Sequence, residues 1–398
     1  MKIAIVHYTS WPVVGGVETV IRQHAELLSR HRHEVSILCG EGTAFDNRIP
    51  TVAVRELDSR DSPVMNAQKE IYQGQPSQAC FSLLKALQEL FARFFINFDR
   101  VIVHNIFTMP FNLAATQALS AFAEHNGKKT IAWTHDLAAL NPYYKIPSGK
   151  TFDLIRNRHR GVKYVIISES RAAEFKKLMG SEADAIIPNA LDFSFACAIT
   201  PEVAKLVQHD LASSLILLYP TRILERKNIA FALRIVEALR HIGVRVLLLI
   251  SGALDPHNRS SAEYFVGLKQ LAAELKVKAS VAWVNDLFFV DETQLHSLFM
   301  VADAVLFPSR QEGFGLPLLE AAAYRLPVFC SDIEPLRSNA PFGTVLFDLA
   351  DTPTNIAEKI RNAVENDDIF KSRKRLLRKY AAERLYLEKI EPFLQDQL

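Results

Sequence analysis

Residues 304–320 read AVLFPSRQEGFGLPLLE, and this segment indicates the fold class most clearly. The apolar run AVLF predicts a short buried strand, and the residues from Pro317 onward predict a helix. Pro317 suits the first turn of that helix, where a missing N–H costs nothing. A strand that leads through a glycine turn into a helix is the repeating unit of parallel α/β domains.

The turn inside this stretch carries the strongest chemical signal. Gly313 and Gly315 lack a Cβ, so a ligand can approach the backbone closely, and the helix start offers free N–H groups to an anion such as a diphosphate. Glu312 precedes the turn and Glu320 lies about one turn inside the helix, so the two carboxylates could hold two hydroxylated parts of one ligand. The alternative is an ordinary helix start with two solvated glutamates.

The same strand-helix pattern extends over the whole chain in two series. The first series has predicted strands at residues 2–7, 33–39, 100–104, 129–134, 164–168 and 185–188, with helices at 17–29, 79–98 and 169–179. The second series has predicted strands at 215–221, 244–251, 280–284, 304–307, 327–330 and 344–347, with helices at 228–241, 262–275, 292–301, 317–324, 354–365 and 368–398. This alternation predicts two doubly wound, Rossmann-like α/β domains.

The length of 398 residues suits two domains with separate cores. We predict an N-terminal domain over residues 1–195, a C-terminal domain over 196–375, and a final helix over 376–398 that packs back on the first domain. Residues 46–78 lack periodicity and are predicted to be an irregular loop.

Composition excludes several classes of protein. The 46 basic and 44 acidic residues leave a net charge of only +2, without the basic surplus expected of a protein that binds nucleic acid. The four cysteines are widely separated, which speaks against a metal site or a disulfide framework and favours a reducing compartment. The N-terminus does not resemble a signal peptide, and residues 79–98 are interrupted by charges. We therefore expect a cytoplasmic protein, for which that amphipathic helix leaves contact with the inner membrane face open.

The segment TRILERKN follows another predicted strand at residues 221–228. Arg222 stands at the carboxyl end of the strand, where open α/β sheets bind ligands. Lys227 lies near a helix start, where its charge opposes the helix dipole unless it meets an anion. The alternative is a charged surface turn.

Two further signals lie in the first domain. Gly15 and Gly16 follow the first strand and could form a backbone nest for phosphate or sugar, although they lack the Gly-x-Gly-x-x-Gly pattern of nicotinamide-binding proteins. His135 follows the strand KTIAWT and is suited to hydrogen bonding or proton transfer. The alternatives are a flexible turn and a structural histidine.

Together these motifs resemble the glycosyltransferase-4 group of retaining GT-B enzymes over nearly the full length. Glu312 and Glu320 match its Glu-x7-Glu motif, and PSRQEGFGLPLLEA matches the surroundings. TRILERKN resembles the Arg…Lys phosphate clamp, GGVETVIRQHAELLSRHRHEV the N-terminal glycine loop and helix, and THD and IIPNALD two further turns of the group.

The resemblance implies a GT-B fold, in which two Rossmann-like domains face each other across a cleft. It also implies a role for each matched residue. Glu312 binds the donor sugar and Glu320 the ribose, while Arg222 and Lys227 hold the diphosphate. The donor further contacts Gly15, Gly16, Val284, Gly313, Phe314, Gly315 and Leu316, and His135 faces the sugar and the acceptor.

The implied reaction transfers a hexose from a nucleotide sugar, with UDP-glucose the first choice, to a hydroxyl of a saccharide or glycolipid in polysaccharide or glycoconjugate synthesis. The anomeric configuration is retained, and no metal or other cofactor is expected. Arg32, in place of the group's usual glycine, and a C-terminal segment without the group's usual tryptophan put the subfamily in doubt. A sugar-nucleotide epimerase, a phosphorylase and a non-catalytic sugar-nucleotide-binding subunit remain alternatives, with a nicotinamide dehydrogenase a weaker one.

Overall fold

The computed structural model describes residues 1–126, 129–254 and 260–396. They form two compact units, which we call the first and the second unit. The first comprises Met1–Leu191 and Ala382–Leu398, and the second comprises Asp192–Ala381. The chain thus passes between the units at residues 191/192 and 381/382, where the sequence predicted 195/196 and 375/376.

The first unit is built on a seven-stranded sheet in which every neighbouring pair is parallel, in the order β3-β2-β1-β4-β5-β6-β7. Its inner strands are apolar on both faces, as expected where helices cover both sides of a sheet. The strands are β1 (Lys2–Thr9), β2 (Glu34–Glu41), β3 (Thr51–Ala53), β4 (Arg100–His104), β5 (Thr130–Thr134), β6 (Val162–Ile166) and β7 (Ala185–Ile186).

Five α-helices connect the strands of this unit in its described residues. They are α1 (Gly16–Arg30), α2 (Ser62–Tyr72), α3 (Gln78–Phe94), α4 (Leu113–Asn126) and α5 (Glu169–Met179). On α1, Val20, Ile21, His24 and Leu28 are buried, which is the face that the sequence periodicity predicted. Ser168 caps α5 by accepting a hydrogen bond from the Arg171 backbone N–H at 3.2 Å.

The second unit repeats the plan with six parallel strands in the order β10-β9-β8-β11-β12-β13. The strands are β8 (Leu215–Tyr219), β9 (Val246–Ile250), β10 (Val281–Trp283), β11 (Ala304–Phe307), β12 (Val328–Ser331) and β13 (Val345–Phe347). The α-helices of this unit are α6 (Phe193–Ala196), α7 (Pro201–Val207), α8 (Ile229–His241), α9 (Ser260–Glu274), α10 (Val284–Leu287), α11 (Glu292–Val301), α12 (Leu316–Ala323), α13 (Leu336–Asn339), α14 (Pro353–Asn366) and α15 (Asp368–Tyr380). The predicted pair of doubly wound α/β domains is confirmed.

The structure corrects the prediction of an irregular loop over residues 46–78. That stretch contains β3, a 3-10 turn at Arg55–Leu57 and the helix α2. The helix buries Val64 and Ala67, while Ile71 and Tyr72 pack beside a small cluster of Leu113, Phe152 and Ile155. This narrow apolar face makes the sequence periodicity weak, which explains why the prediction was wrong.

The predicted single helix over residues 368–398 is also corrected. It breaks at Ala381, whose ψ of 128° is not helical. Three short helical segments follow in the first unit: α16 (Ala382–Leu385), a π-helical turn at Tyr386–Ile390, and α17 (Glu391–Leu394). Arg100 Nε donates to the Leu394 carbonyl at 2.9 Å there. Residues 397–398 lie outside the described residues.

Among the described residues, no helix is both long and apolar enough to cross a membrane.

Candidate functional site

The second unit brings two of the predicted motifs together at one edge of its sheet. β8 and β11 are neighbours at the point where the strand order reverses. Open α/β sheets bind ligands outside the carboxyl ends of the strands at such a switch point. Residues 220–228 follow β8 there, and residues 308–315 follow β11.

Hydrogen bonds join these two loops. Asn228 Nδ2 donates to the Pro308 carbonyl at 3.1 Å, and the Arg310 backbone N–H donates to the Arg226 carbonyl at 2.8 Å. Arg226 Nη1 also donates to the Gln311 carbonyl at 3.1 Å. The two loops therefore form one structure that fixes the side chains at their tips.

An ion pair at the centre of this structure links the two motifs. Lys227 Nζ lies 2.5 Å from Glu312 Oε1, and the two side chains are only 11% and 7% exposed. Arg226 Nη1 lies 3.7 Å from Glu312 Oε2. Burial lowers the pKa of Lys227, and the Glu312 carboxylate opposes that shift. The residue predicted to bind phosphate, Lys227, is therefore in direct contact with the residue predicted to bind the sugar, Glu312.

The glycine turn leads into α12 as the sequence predicted. Gly315 has a φ of +88°, which is the left-handed region that favours glycine, and a Cβ there would lie 2.6 Å from Leu336 Cδ2. A Cβ on Gly313 would meet nothing within 4 Å. Phe314 and Leu316 are exposed on either side of Gly315. The turn thus presents backbone and two apolar side chains beside a helix N-terminus, which attracts anions.

The other predicted residues of this unit differ in exposure. Glu320 is half-buried on α12, and burial raises the pKa of its carboxyl. Its side chain has no hydrogen bond or ion pair to any part of the chain that the structure describes. Arg222 is exposed after β8. Val284 is fully buried at the start of α10, just beyond the shorter β10, so neither its side chain nor its backbone is exposed in this structure.

The first unit has its own switch point between β1 and β4, with a cavity nearby of about 550 Å³. Polar and charged side chains line much of the cavity. Its lining includes Gly16, His135, Asp136, Ser168, Arg171 and Asn189. Two of the predicted site residues, Gly16 and His135, are therefore brought together.

His135 belongs to a buried chain of hydrogen bonds. Its Nε2 lies 2.9 Å from His104 Nδ1, and its backbone N–H donates to Asn105 Oδ1 at 2.8 Å. His7 Nδ1 donates to the His104 carbonyl at 2.9 Å. Burial lowers the pKa of His135 to about 3, so its imidazole is neutral near pH 7.

The glycine loop of the first unit adjoins a carboxylate. Thr9 Oγ1 donates to Glu18 Oε1 at 2.5 Å, and a Cβ on Gly15 would lie 2.0 Å from Glu18 Oε2. A Cβ on Gly16, in contrast, would meet nothing within 4 Å. The space beside Gly16 is therefore open to a ligand.

Sequence reasoning missed several of these residues, namely His7, Glu18, His104, Asn105 and Arg226. The sequence does carry a signal for two of them. His7 lies near the carboxyl end of a buried strand, His104 is the last residue of another, and His135 directly follows a third. Among the described residues, no group of three or more His, Cys, Asp or Glu side chains is placed to hold a metal ion.

Comparison with known proteins adds an independent result. Residues 14–195 match the family model described as Glycosyltransferase Family 4, and residues 207–384 match the model described as Glycosyl transferases group 1. The chain is 25% identical to the mannosylglucosylglycerate synthase of Petrotoga mobilis, over 84% of this chain and 85% of the relative. A shorter match, 22% of each chain, is 37% identical to the O-antigen chain mannosyltransferase RfbU of Salmonella typhimurium. Among solved structures, sucrose-phosphate synthase from Thermosynechococcus elongatus aligns over 99% of this chain and 98% of its own, with 17% identity and a TM-score of 0.39.

Proposed function

Because the chain belongs to the family 4 glycosyltransferases, whose two models match residues 14–195 and 207–384, we propose that it transfers a hexosyl group from a nucleotide sugar to a hydroxyl acceptor. Membership of the family establishes that the protein is a glycosyltransferase. The observation that carries the donor proposal is the buried pair of Lys227 and Glu312 beside the α12 N-terminus.

In this proposal the donor diphosphate binds where three sources of positive potential meet. Lys227 and Arg222 follow β8, and the N-terminus of α12 follows β11. Lys227 is paired with Glu312 in the structure, so the diphosphate replaces or shares that partner when it binds. These groups stabilise the charge that develops on the departing diphosphate, which makes a divalent metal unnecessary.

Glu312 is proposed to hold the hydroxyls of the transferred sugar. Its carboxylate also favours the positive charge of an oxocarbenium-like transition state. Glu320 is proposed to accept hydrogen bonds from the ribose, and its lack of a partner among the described side chains leaves both oxygens available. The anomeric configuration is retained, with the acceptor attacking from the face that the diphosphate leaves.

The cavity of the first unit is proposed to take the hydroxyl acceptor, a saccharide or glycolipid. The hydrogen-bonding groups that sugars require are supplied by Asp136, Ser168 and Arg171. Arg171 Nη2 lies 3.6 Å from Asp136 Oδ1. His135 is proposed to contact the oxygen atoms of the sugar and the acceptor.

UDP-glucose is the first donor to test. A mannosyl donor such as GDP-mannose is the second candidate, and similarity to a mannosylglucosylglycerate synthase and a mannosyltransferase favours it. A thermal-shift screen of UDP- and GDP-sugars, followed by product analysis with saccharide acceptors, tests the proposal. Conversion of the donor without any acceptor indicates an epimerase instead, and tight binding without turnover indicates a non-catalytic subunit.

We also propose that the enzyme works in the cytoplasm, at or near the inner membrane face. Supporting this is α3, an amphipathic helix that exposes Phe81 and is followed by the exposed Ile96. Flotation with anionic vesicles, compared between the wild type and Phe81→Ser, tests the membrane contact. Equal and negligible flotation of both proteins contradicts it.

A further inference from the structure

The first unit buries four histidines in one cluster, of which only His135 was predicted to be functional. His7, His24, His104 and His135 are between 0% and 6% exposed. They come from β1, α1, β4 and the loop after β5, so the sheet topology gathers them at its carboxyl edge. Buried polar side chains normally have partners, and the hydrogen bonds of His7, His104 and His135 constrain where their protons lie.

One hydrogen bond fixes the proton position on His7, and a second links the proton positions of His104 and His135. His7 Nδ1 must be a donor, because the carbonyl oxygen of His104 can only accept. The bond between His104 Nδ1 and His135 Nε2, 2.9 Å long, joins two ring nitrogens, so one of them carries the proton. The other nitrogen of His104, Nε2, is buried and has no hydrogen-bond partner among the residues that the structure describes.

That unpartnered nitrogen decides between the two arrangements. If His135 donates, His104 carries its own proton on Nε2, and a buried N–H is left without an acceptor. If His104 donates, only a lone pair is left unpaired. Among backbone groups, buried N–H donors without a partner are rarer than under-satisfied carbonyl acceptors, and by extending this preference to the ring nitrogens we favour the second arrangement.

The surroundings keep both rings neutral. His104 faces His7 from β1, His24 from α1 and His135 from the loop after β5, and the carboxylate of Glu18 lies 4.0 Å from His7 Nε2. Burial and the neighbouring imidazoles lower the pKa of His104 well below its usual value. Each ring therefore has a single proton to place.

We propose that His104 is a positioning residue, whose Nδ1–H bonds His135 Nε2 and thereby holds the proton of His135 on Nδ1. His135 lines the cavity, and its Nδ1 makes no hydrogen bond within the described part of the chain. His135 thus presents an N–H donor to an oxygen atom of the bound sugar or acceptor and does not act as a general base. This role rests on the proposed function of the cavity, whereas the tautomer does not.

The direct test is the tautomer of His135 in the full-length protein, read by ¹⁵N NMR of selectively labelled histidine and assigned with His135→Asn. We expect protonated Nδ1 and unprotonated Nε2 in the wild type. His104→Phe removes the donor and should move His135 towards the Nε2–H form. His104→Asn retains an amide donor near the same position and should preserve the wild-type tautomer.

His24→Phe is the matched control. His24 is as buried as the others and packs against Trp133, but no hydrogen bond joins it to His135 in the described structure. It should leave the tautomer unchanged. An Nε2–H tautomer in the wild type, or an equal change in His24→Phe and His104→Phe, overturns the proposal.

Kinetics supply a second readout. His104→Phe should reduce kcat by up to about tenfold, as expected for one misdirected uncharged hydrogen bond, with UDP affinity unchanged and with rescue in His104→Asn. A loss of kcat that His104→Asn does not rescue contradicts the positioning role. If the wild type transfers no sugar from any donor, the proposed function is wrong. The NMR experiment still determines the tautomer of His135 in that case.

Discussion

Replacing Lys227 with methionine removes the charge at the centre of the proposed diphosphate site and keeps most of the side-chain volume. Charge-assisted hydrogen bonds contribute about 1.5–3 kcal/mol each, and every ~1.4 kcal/mol changes a dissociation constant tenfold. Lys227 Nζ is already paired with Glu312 at 2.5 Å. Its contribution to UDP affinity is therefore only the difference in free energy between contacting the diphosphate and contacting Glu312. We therefore expect the lower end of that range, a roughly tenfold loss of UDP affinity.

The assay is isothermal titration calorimetry with UDP and GDP on the wild type and the variant. Lys269→Met is the matched control, since Lys269 Nζ forms an ion pair of similar length, 2.6 Å, with Asp286 in the same unit. That pair is about half exposed, so its loss should change nucleotide affinity by less than about twofold. If Lys227→Met binds UDP as the wild type does while EDTA abolishes turnover, Lys227 does not hold the diphosphate.

Three further predictions concern other parts of the two sites. Glu320→Ala should raise the dissociation constant for UDP by about tenfold and change kcat little, because its proposed contact is with the ribose; an unchanged constant contradicts it. Gly16→Val should leave the thermal midpoint nearly unaltered, since the space beside Gly16 is open, but should weaken substrate binding; unaltered KM values for donor and acceptor would show that no ligand enters that space. Lowering the pH from about 7 towards 5 should destabilise the protein partly through His24, whose pKa burial lowers from 6.5 to about 4, because the unfolded chain binds more protons in that window. His24→Phe should therefore lose less of its urea midpoint over the same range than the wild type, and parallel losses refute this.

Much of the fold follows from strong local patterns. The strands Arg100–His104 and Ala304–Phe307 were predicted to the residue from their apolar cores, because both faces of a parallel sheet are covered. The helix α4 was not predicted, since its buried face consists largely of alanine, which gives a weak periodic signal. The helices α6 and α7, near the predicted domain boundary at residues 195/196, were also not predicted, because they are only 4 and 7 residues long.

The candidate site was predicted as far as single motifs allow. The sequence indicated Lys227 and Glu312 separately, but their ion pair joins residues 85 positions apart and depends on β8 lying beside β11. The same holds for His104 and His135, which are 31 positions apart and meet because β4 pairs with β5. Pairings of this kind depend on strand order, which local patterns do not specify.

The proposed role of Glu312 in holding the transferred sugar is best tested by measuring both the turnover and the UDP affinity of Glu312→Ala. Only contacts that strengthen in the transition state raise the catalytic rate, so loss of the sugar-binding carboxylate should lower kcat. A fall on the order of a hundredfold corresponds to ~2.7 kcal/mol. UDP affinity should be unchanged or higher, because Lys227 loses its competing partner. Near-normal turnover together with a collapse of UDP binding contradicts the account.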